Sequence, residues 1–145
     1  MARILVCGTL AYDIIGTFQG ALATAKRNIK LDTLTQAFGG CAMNIAYNLR
    51  RLGHQPVPFV YVGDDFAPTY QTHVKRLEIS PEAMVQIPDS SCARGIVLTD
   101  RRGDQFTAFF PGPTGLDRHA EDLRRLTGET WDAVVIAPDL PEKMR

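Results

Sequence analysis

The sequence has little cysteine and no excess charge of either sign. Its three cysteines, Cys7, Cys41 and Cys92, are too few and too scattered for a disulfide framework, and their odd number favours reduced thiols and a cytoplasmic location. The 16 basic and 16 acidic residues cancel, so no basic excess favours a nucleic acid or an anionic membrane as partner. We therefore expect neither partner.

Long apolar runs and the common metal and phosphate motifs are also missing. No stretch approaches the ~20 apolar residues of a membrane span, and the run that begins at Ile4 stops at Gly8, too early for a signal peptide. The three histidines lie far apart and no two cysteines have the spacing of a zinc site, so we expect no metal site. Neither GxGxxG nor GxxxxGK[ST] occurs, which argues against a Rossmann-like oxidoreductase and a P-loop protein.

Short apolar segments alternate with helical ones along the chain. Strands are predicted at 4–7, 13–18, 57–62 and 133–137, with a β-hairpin formed by 95–99 and 105–110. Helices are predicted at 41–52, about 68–77 and 117–126. The segment 20–30 is predicted to be a loop or short helix, and 29–38 fits an exposed strand only loosely. This order is typical of an α/β protein with a mostly parallel sheet.

The strongest local motif precedes the first helix. Gly39 and Gly40 allow a ligand to approach the backbone closely, and the first N–H groups of the helix point towards such a ligand. Asn44, one turn into the helix, carries an amide that can donate to and accept from a hydroxyl. These residues predict a site for a polar or anionic group, although a helix start without a ligand fits the two glycines equally well.

Four segments, in the order that the family uses, resemble the ribokinase-like (PfkB) kinases. The first family signature is similar to residues 39–46, with matches at Gly39, Gly40, Ala42, Asn44 and Ala46. The other similar segments are 8–13 after the first strand, 62–66 after a later strand, and 95–110. The residues at 38–42, 65–68 and 110–112 most resemble those of bacterial members described as adenosine kinase-like or carbohydrate kinases.

The resemblance implies a substrate held between a Rossmann-like, mostly parallel sheet and a small β-lid, with lid strands within about 13–38 and 95–110. It implies that Asp13 accepts two sugar hydroxyls and that Gly39, Gly40 and Asn44 also contact the sugar. Asp13 could instead be a turn residue. Phe106 and Phe110 could close over a sugar or base, although apolar hairpin residues more often form core or dimer contacts.

The reaction implied is transfer of a phosphate from ATP, with Mg²⁺, to a hydroxyl of a sugar or nucleoside. Three details depart from the family. Ala11 stands where many relatives have Asn, and Met43 occupies a position that is often small, which would narrow the pocket. The compact linker before Gly39 predicts short or irregular first lid strands.

A later family segment, Asp-Thr-x-Gly-Ala-Gly-Asp, carries the catalytic Asp and the anion hole for the phosphate, and it does not occur in this sequence. We therefore expect residues 1–145 to be the N-terminal substrate-binding and lid part of a longer kinase. The expected catalytic Asp lies beyond them, and the chain alone is expected to bind no ATP or Mg²⁺ and to be inactive. The alternative is a non-catalytic sugar-binding or assembly module. An uncovered lid or sheet also predicts a homo-oligomer.

Overall fold

The computed structural model describes residues 1–24 and 28–144. The strands are β1 Arg3–Cys7, β2 Ala11–Phe18, β3 Thr33–Gly39, β4 Gln55–Val62, β5 Met84–Gln86, β6 Ala93–Asp100, β7 Gln105–Phe110 and β8 Ala133–Ile136. The α-helices are α1 Cys41–Arg51, α2 Thr69–Arg76 and α3 His119–Thr127. Short 3-10 turns lie at Leu22–Thr24, Asp64–Phe66 and Leu116–Arg118. Part of the predicted loop or short helix, residues 25–27, lies outside the described residues.

One sheet is entirely parallel, with the strand order β5-β4-β1-β8. The apolar runs 4–7 and 57–62 form β1 and β4, which are buried as expected. The run 133–137 forms β8, but the expectation that it is buried is wrong, because β8 is an edge strand of this sheet and its Val134 and Ile136 are exposed. β5 was not predicted, because a strand of three residues is too short to show a hydrophobic period.

Alternate residues of the parallel sheet pack into two separate cores. One face packs against α1 and α2, through Ile4, Val6, Ala42, Ala46 and Val74. The opposite face packs against α3, through Leu5, Val57, Phe59, Leu123 and Leu126. A strand that contacts a core on both faces must be apolar at nearly every position, which explains the continuous apolar runs of β1 and β4.

The second sheet, which corresponds to the expected lid, is mixed and has the order β3-β2-β6-β7. Its central pair, β2 and β6, is parallel, and its outer pairs are antiparallel, which confirms the predicted hairpin of β6 and β7. The prediction that the first lid strands are short or irregular is wrong. β2 and β3 pair without interruption from Ala11 opposite Gly39 to Thr17 opposite Thr33, because the chain between them is long enough to reverse without shortening either strand.

The 3-10 turn after β4 ties the lid sheet to the parallel sheet. Asp65 in this turn accepts a hydrogen bond from the backbone N–H of Cys92 at 2.7 Å and forms an ion pair with Arg94 on β6. The hydroxyl of Tyr12 on β2 donates to the backbone carbonyl of Asp65 at 2.9 Å. Both central lid strands are therefore fixed, near their beginnings, to the end of β4.

α1 starts and stops close to its predicted ends. Arg50 and Arg51 lie in its last turn, where positive charge stabilises the helix dipole. Gly53 follows with a φ of 82°, a conformation that favours glycine after a helix. Cys7, Cys41 and Cys92 are free thiols. In the two described ranges, no helix combines the length and the apolar character needed to cross a membrane.

Candidate functional site

Asp13 lies within β2, and its carboxylate rests over glycines on both neighbouring strands. Its Oδ1 lies 2.8 Å from the position that a Cβ on Gly95 would take, and its Oδ2 fills the space that a Cβ on Gly39 would need. Only glycine at both positions leaves room for the carboxylate where it stands. Asp13 is thus a strand residue whose carboxylate lies in a recess formed by Gly39 and Gly95. It is not a turn residue, which was the alternative interpretation.

The carboxylate of Asp13 has no hydrogen-bond donor or cation bound to it among residues 1–24 and 28–144. It is only partly accessible to solvent, and this burial raises the pKa of Asp13 above that of an ordinary aspartate. A partly buried carboxylate without a partner costs folding free energy. Such an arrangement is typical of a group whose partner is a ligand.

The ladders place Asp13 in one row with Ala37, Gly95 and Phe109 across the four strands of the lid sheet. Residues paired in this way point to the same face of a sheet. Gly95 has no side chain, and the carboxylate of Asp13 takes up part of the space above it, so no side chain stands between Asp13 and Phe109 in this row. The two strands that carry Asp13 and Phe109 are two strand spacings, roughly 10 Å, apart.

A cavity of about 430 Å³ adjoins this row. Its lining residues are Thr9, Cys41, Phe109, Pro111, Pro138, Asp139 and Leu140. Phe109 therefore lies both in the row of Asp13 and in the lining of the cavity. Thr9 follows β1, and Pro138 and Asp139 follow β8, so the cavity lies between Phe109 and the ends of these two strands.

Gly40 connects β3 to α1 in a conformation that only glycine adopts readily, with a φ of 94°. A Cβ on Gly40 would lie 2.5 Å from the carbonyl oxygen of Thr9 and 2.6 Å from the backbone nitrogen of Ala11. The turn is therefore pressed against the segment that leads into β2. Gly39 and Gly40, predicted as site residues, are brought beside Asp13 by this contact.

The first turn of α1 leaves donors free for a ligand. The N–H of Ala42 is bound to the carbonyl of Thr9, whereas the N–H groups of Cys41 and Met43 have no acceptor within the described part of the chain. Asn44 is exposed one turn into the helix, and its side-chain amide is likewise unpaired there. The predicted residue Asn44 is thus available to a ligand, but no contact joins it to Asp13.

Phe106 and Phe110 do not lie on the face of the lid sheet that carries Asp13. They are paired with Leu98 and Arg94, whose side chains point to the opposite face. The expectation that they close over a ligand at Asp13 therefore does not fit the register. The β7 aromatic on the Asp13 face is Phe109, because successive residues of a strand alternate between faces.

Sequence reasoning missed Gly95 and Phe109. The glycine at the start of the predicted strand 95–99 was a usable signal for Gly95, because a glycine in a strand often marks a close approach. No signal was available for Phe109, because the three phenylalanines of β7 differ only in the register of their pairing.

The site suits a molecule that carries hydroxyl groups. A free carboxylate accepts hydrogen bonds from two hydroxyls at once, and free backbone N–H groups and an amide lie at the start of the helix next to it. In the described ranges, no three His, Cys, Asp or Glu side chains stand close enough together to hold a metal ion.

The model of the pfkB family of carbohydrate kinases matches residues 1–138. The chain belongs to this family. The nucleoside kinase of Methanocaldococcus jannaschii is 25% identical over 143 residues, which are 98% of this chain and 46% of that protein.

Two solved structures share the pfkB fold of this chain. That of the Burkholderia thailandensis nucleoside kinase in complex with inosine has a TM-score of 0.78 and 32% identity, over 97% of this chain and 46% of that chain. That of the M. jannaschii nucleoside kinase, described as an archaeal member of the ribokinase family, has a TM-score of 0.81, at 23% identity, over 99% of this chain and 46% of that chain. The chain thus spans about half the length of these pfkB relatives.

We expect Asp13→Asn to raise the resistance of the protein to urea at pH 7. The raised pKa means that the folded state disfavours the charged carboxylate, so the contribution of Asp13 is most stabilising below about pH 3.9, the pKa of an unfolded aspartate. This contribution is lost as the pH rises through the raised pKa. The urea midpoint of the variant should therefore exceed that of the wild type at pH 7, and this difference should become smaller as the pH is lowered.

Asp100→Asn is the matched control, with the opposite sign. The backbone N–H of Leu22, together with those of Arg102 and Asp104, lowers the pKa of Asp100. Its charged form therefore stabilises the fold, and this stabilisation is lost as the pH falls through the lowered pKa. At pH 7 we expect Asp100→Asn to lower the urea midpoint. A lower midpoint for Asp13→Asn as well would contradict the view of Asp13 as an unpaired site residue.

Proposed function

We propose that this chain provides the acceptor-binding half of a kinase that phosphorylates a hydroxyl of a nucleoside or a sugar. The observation that carries the proposal is the carboxylate of Asp13, which is recessed between Gly39 and Gly95 and has no partner among the described residues. Asp13 accepts hydrogen bonds from two hydroxyls of the ligand. The start of α1, with Asn44, supplies further polar contacts to the same molecule.

Within this function, two observations favour a nucleoside as the acceptor. The Burkholderia thailandensis relative, at 32% identity, was solved with inosine. In this chain, Phe109 lies on the same face of the lid sheet as Asp13, two strands away, so the base of a nucleoside whose ribose hydroxyls bind Asp13 would be on the side of the ring of Phe109. An aromatic wall opposite a carboxylate suits a ligand with both hydroxyls and a flat ring.

ATP is the phosphate donor of pfkB kinases. Since the described residues bring no metal-ligating group together, we assign no step of phosphate transfer, and no Mg²⁺ contact, to them. Their part is to bind and orient the acceptor so that its hydroxyl is aimed at the phosphate. We propose that residues 1–145 alone transfer no phosphate, because no segment among them matches the one that carries the catalytic Asp. We also propose that the protein works in the cytoplasm.

The direct test is nucleoside affinity in the longest natural polypeptide that carries this sequence. Asp13→Asn removes the negative charge and replaces one carboxylate oxygen, which accepts a hydrogen bond, by an NH₂ group. This group can only donate, and it would face a hydroxyl of the ligand that also donates. A hydrogen bond to a charged group contributes roughly 1.5–3 kcal/mol, so we expect the dissociation constant for inosine to rise about tenfold or more. The affinity for ATP should stay within about twofold of the wild-type value, because the proposal gives Asp13 contacts to the acceptor molecule and none to ATP.

The matched control is Asp117→Asn, a change at an exposed aspartate of the turn Leu116–Arg118, outside the lid sheet, and it should leave both affinities unchanged. Turnover of ATP against a panel of sugars and nucleosides, measured with the same polypeptide, identifies the acceptor. Wild-type affinity for every acceptor in a folded Asp13→Asn variant would overturn the proposed role of Asp13.

The lid sheet also provides a surface for a second copy of the chain. On the face opposite Asp13, the exposed large apolar side chains of the strands are Leu34, Phe38, Ile96, Phe106 and Phe110. Two charged side chains of β6 lie on this face, and neither is free: Arg94 is paired with Asp65, and the buried Asp100 accepts hydrogen bonds from backbone N–H groups. A sheet face of this composition is costly to leave in water, so we propose that two lids pair through it.

Phe106→Asp should convert this dimer to a monomer, because two buried charges would face each other across the interface. Phe109→Asp is the control, since Phe109 is on the same strand and as exposed, at 57% against 55%, but lies on the other face. Its mass by light scattering should equal that of the wild type. A monomeric wild type over a wide concentration range, or a dimeric Phe106→Asp, would refute the pairing.

A further inference from the structure

Tyr70, on α2, makes a direct contact with the glycine pair of the candidate site. Its hydroxyl donates a hydrogen bond to the backbone carbonyl of Gly39 at 2.7 Å. The side chain is 1% exposed, so no water competes for this bond. Tyr70 lies far from Gly39 in sequence, and no motif pointed to it.

The bond fixes more than one carbonyl. The C=O of Gly39 and the N–H of Gly40 belong to the same planar peptide unit, so holding the carbonyl oxygen sets the orientation of the whole unit. Glycine has unusual freedom to rotate, and these are two consecutive glycines. On its other side, Gly40 is limited by the backbone at Thr9 and Ala11. The hydrogen bond from Tyr70 restrains the Gly39–Gly40 peptide on the side that faces α2.

The ring of Tyr70 is itself held in place by aromatic neighbours. Its ring centre lies 4.9 Å from that of Phe38, 5.3 Å from that of Tyr12 and 5.9 Å from that of His73. Two of these neighbours, Phe38 and Tyr12, stand on the paired strands β3 and β2. The hydroxyl is therefore aimed at Gly39 by a packed cluster, and little freedom of the side chain remains to be lost.

The hydroxyl also stays a donor at every ordinary pH. Burial raises the pKa of Tyr70, and the negative charge of nearby Asp13 raises it further. The same carboxylate lies over Gly39, so the two groups act on one residue from different sides. Loss of the bond would remove the side-chain donor from a buried carbonyl and weaken the hold on the peptide that lies under Asp13.

We propose that Tyr70 is a positioning residue of the candidate site. It holds the Gly39–Gly40 peptide in the orientation that leaves the recess for the carboxylate of Asp13 and starts α1 in the right direction. This inference rests on the proposed role of Asp13 and the glycine pair in binding an acceptor. Tyr70 itself touches no reacting atom.

The test compares Tyr70→Phe with Tyr12→Phe in the longest natural polypeptide that carries this sequence. Both tyrosines are buried, and the hydroxyl of each donates to a backbone carbonyl, that of Gly39 for Tyr70 and that of Asp65 for Tyr12. Phenylalanine keeps the ring packing in both variants. We expect similar small losses of stability, but the dissociation constant for inosine should rise about fivefold to tenfold only in Tyr70→Phe. The affinity for ATP should be unchanged in both.

A second readout does not depend on any ligand. In amide NMR spectra, the Gly40 resonance reports on the carbonyl of Gly39 because both belong to one peptide, and it should move in Tyr70→Phe but not in Tyr12→Phe. Equal affinity for inosine in Tyr70→Phe and the wild type, or equal losses in both variants, would overturn the inference. If the wild type binds neither a nucleoside nor a sugar, the proposed function fails, and an unmoved Gly40 resonance would then still refute the positioning role.

Discussion

The close approach of one carboxylate to two glycines is the constraint on which the candidate site depends. Asp13 occupies the space above Gly39 and Gly95, and this is possible only because neither residue has a side chain. The three residues stand on three adjacent strands, so the ladder of the lid sheet must be in register for the recess to exist. A shift by one position would turn Asp13 to the opposite face.

Two aspartates of the lid region differ in their surroundings, one paired within the fold and one left free for the proposed ligand. Asp65 is paired with Arg94 and the N–H of Cys92, and it ties the lid to the end of β4. Asp13 has a raised pKa and no partner in the described part of the chain. Asp65 therefore stabilises the fold, whereas the charged carboxylate of Asp13 lowers the free energy of unfolding. A cost of this kind is expected where a group is kept for binding.

The sequence predicted those parts of the fold that depend on local pattern. β1 and β4 are apolar runs buried on both faces, and α1 has a clear helical period and a glycine after its end. The glycine pair and Asp13 were found because residue type and order match a known family. β5, the role of Gly95 and the choice of Phe109 over Phe106 depend on pairing between distant strands, which no local pattern records.

The most direct test of the role of Asp13 is a titration of its side-chain carboxyl by carbon NMR, with and without saturating inosine. In the free protein the pKa should lie above the ordinary value of about 3.9. Hydroxyl donors favour the charged carboxylate, so bound inosine should lower this pKa. A pKa of Asp13 that is the same with and without bound inosine would contradict the account.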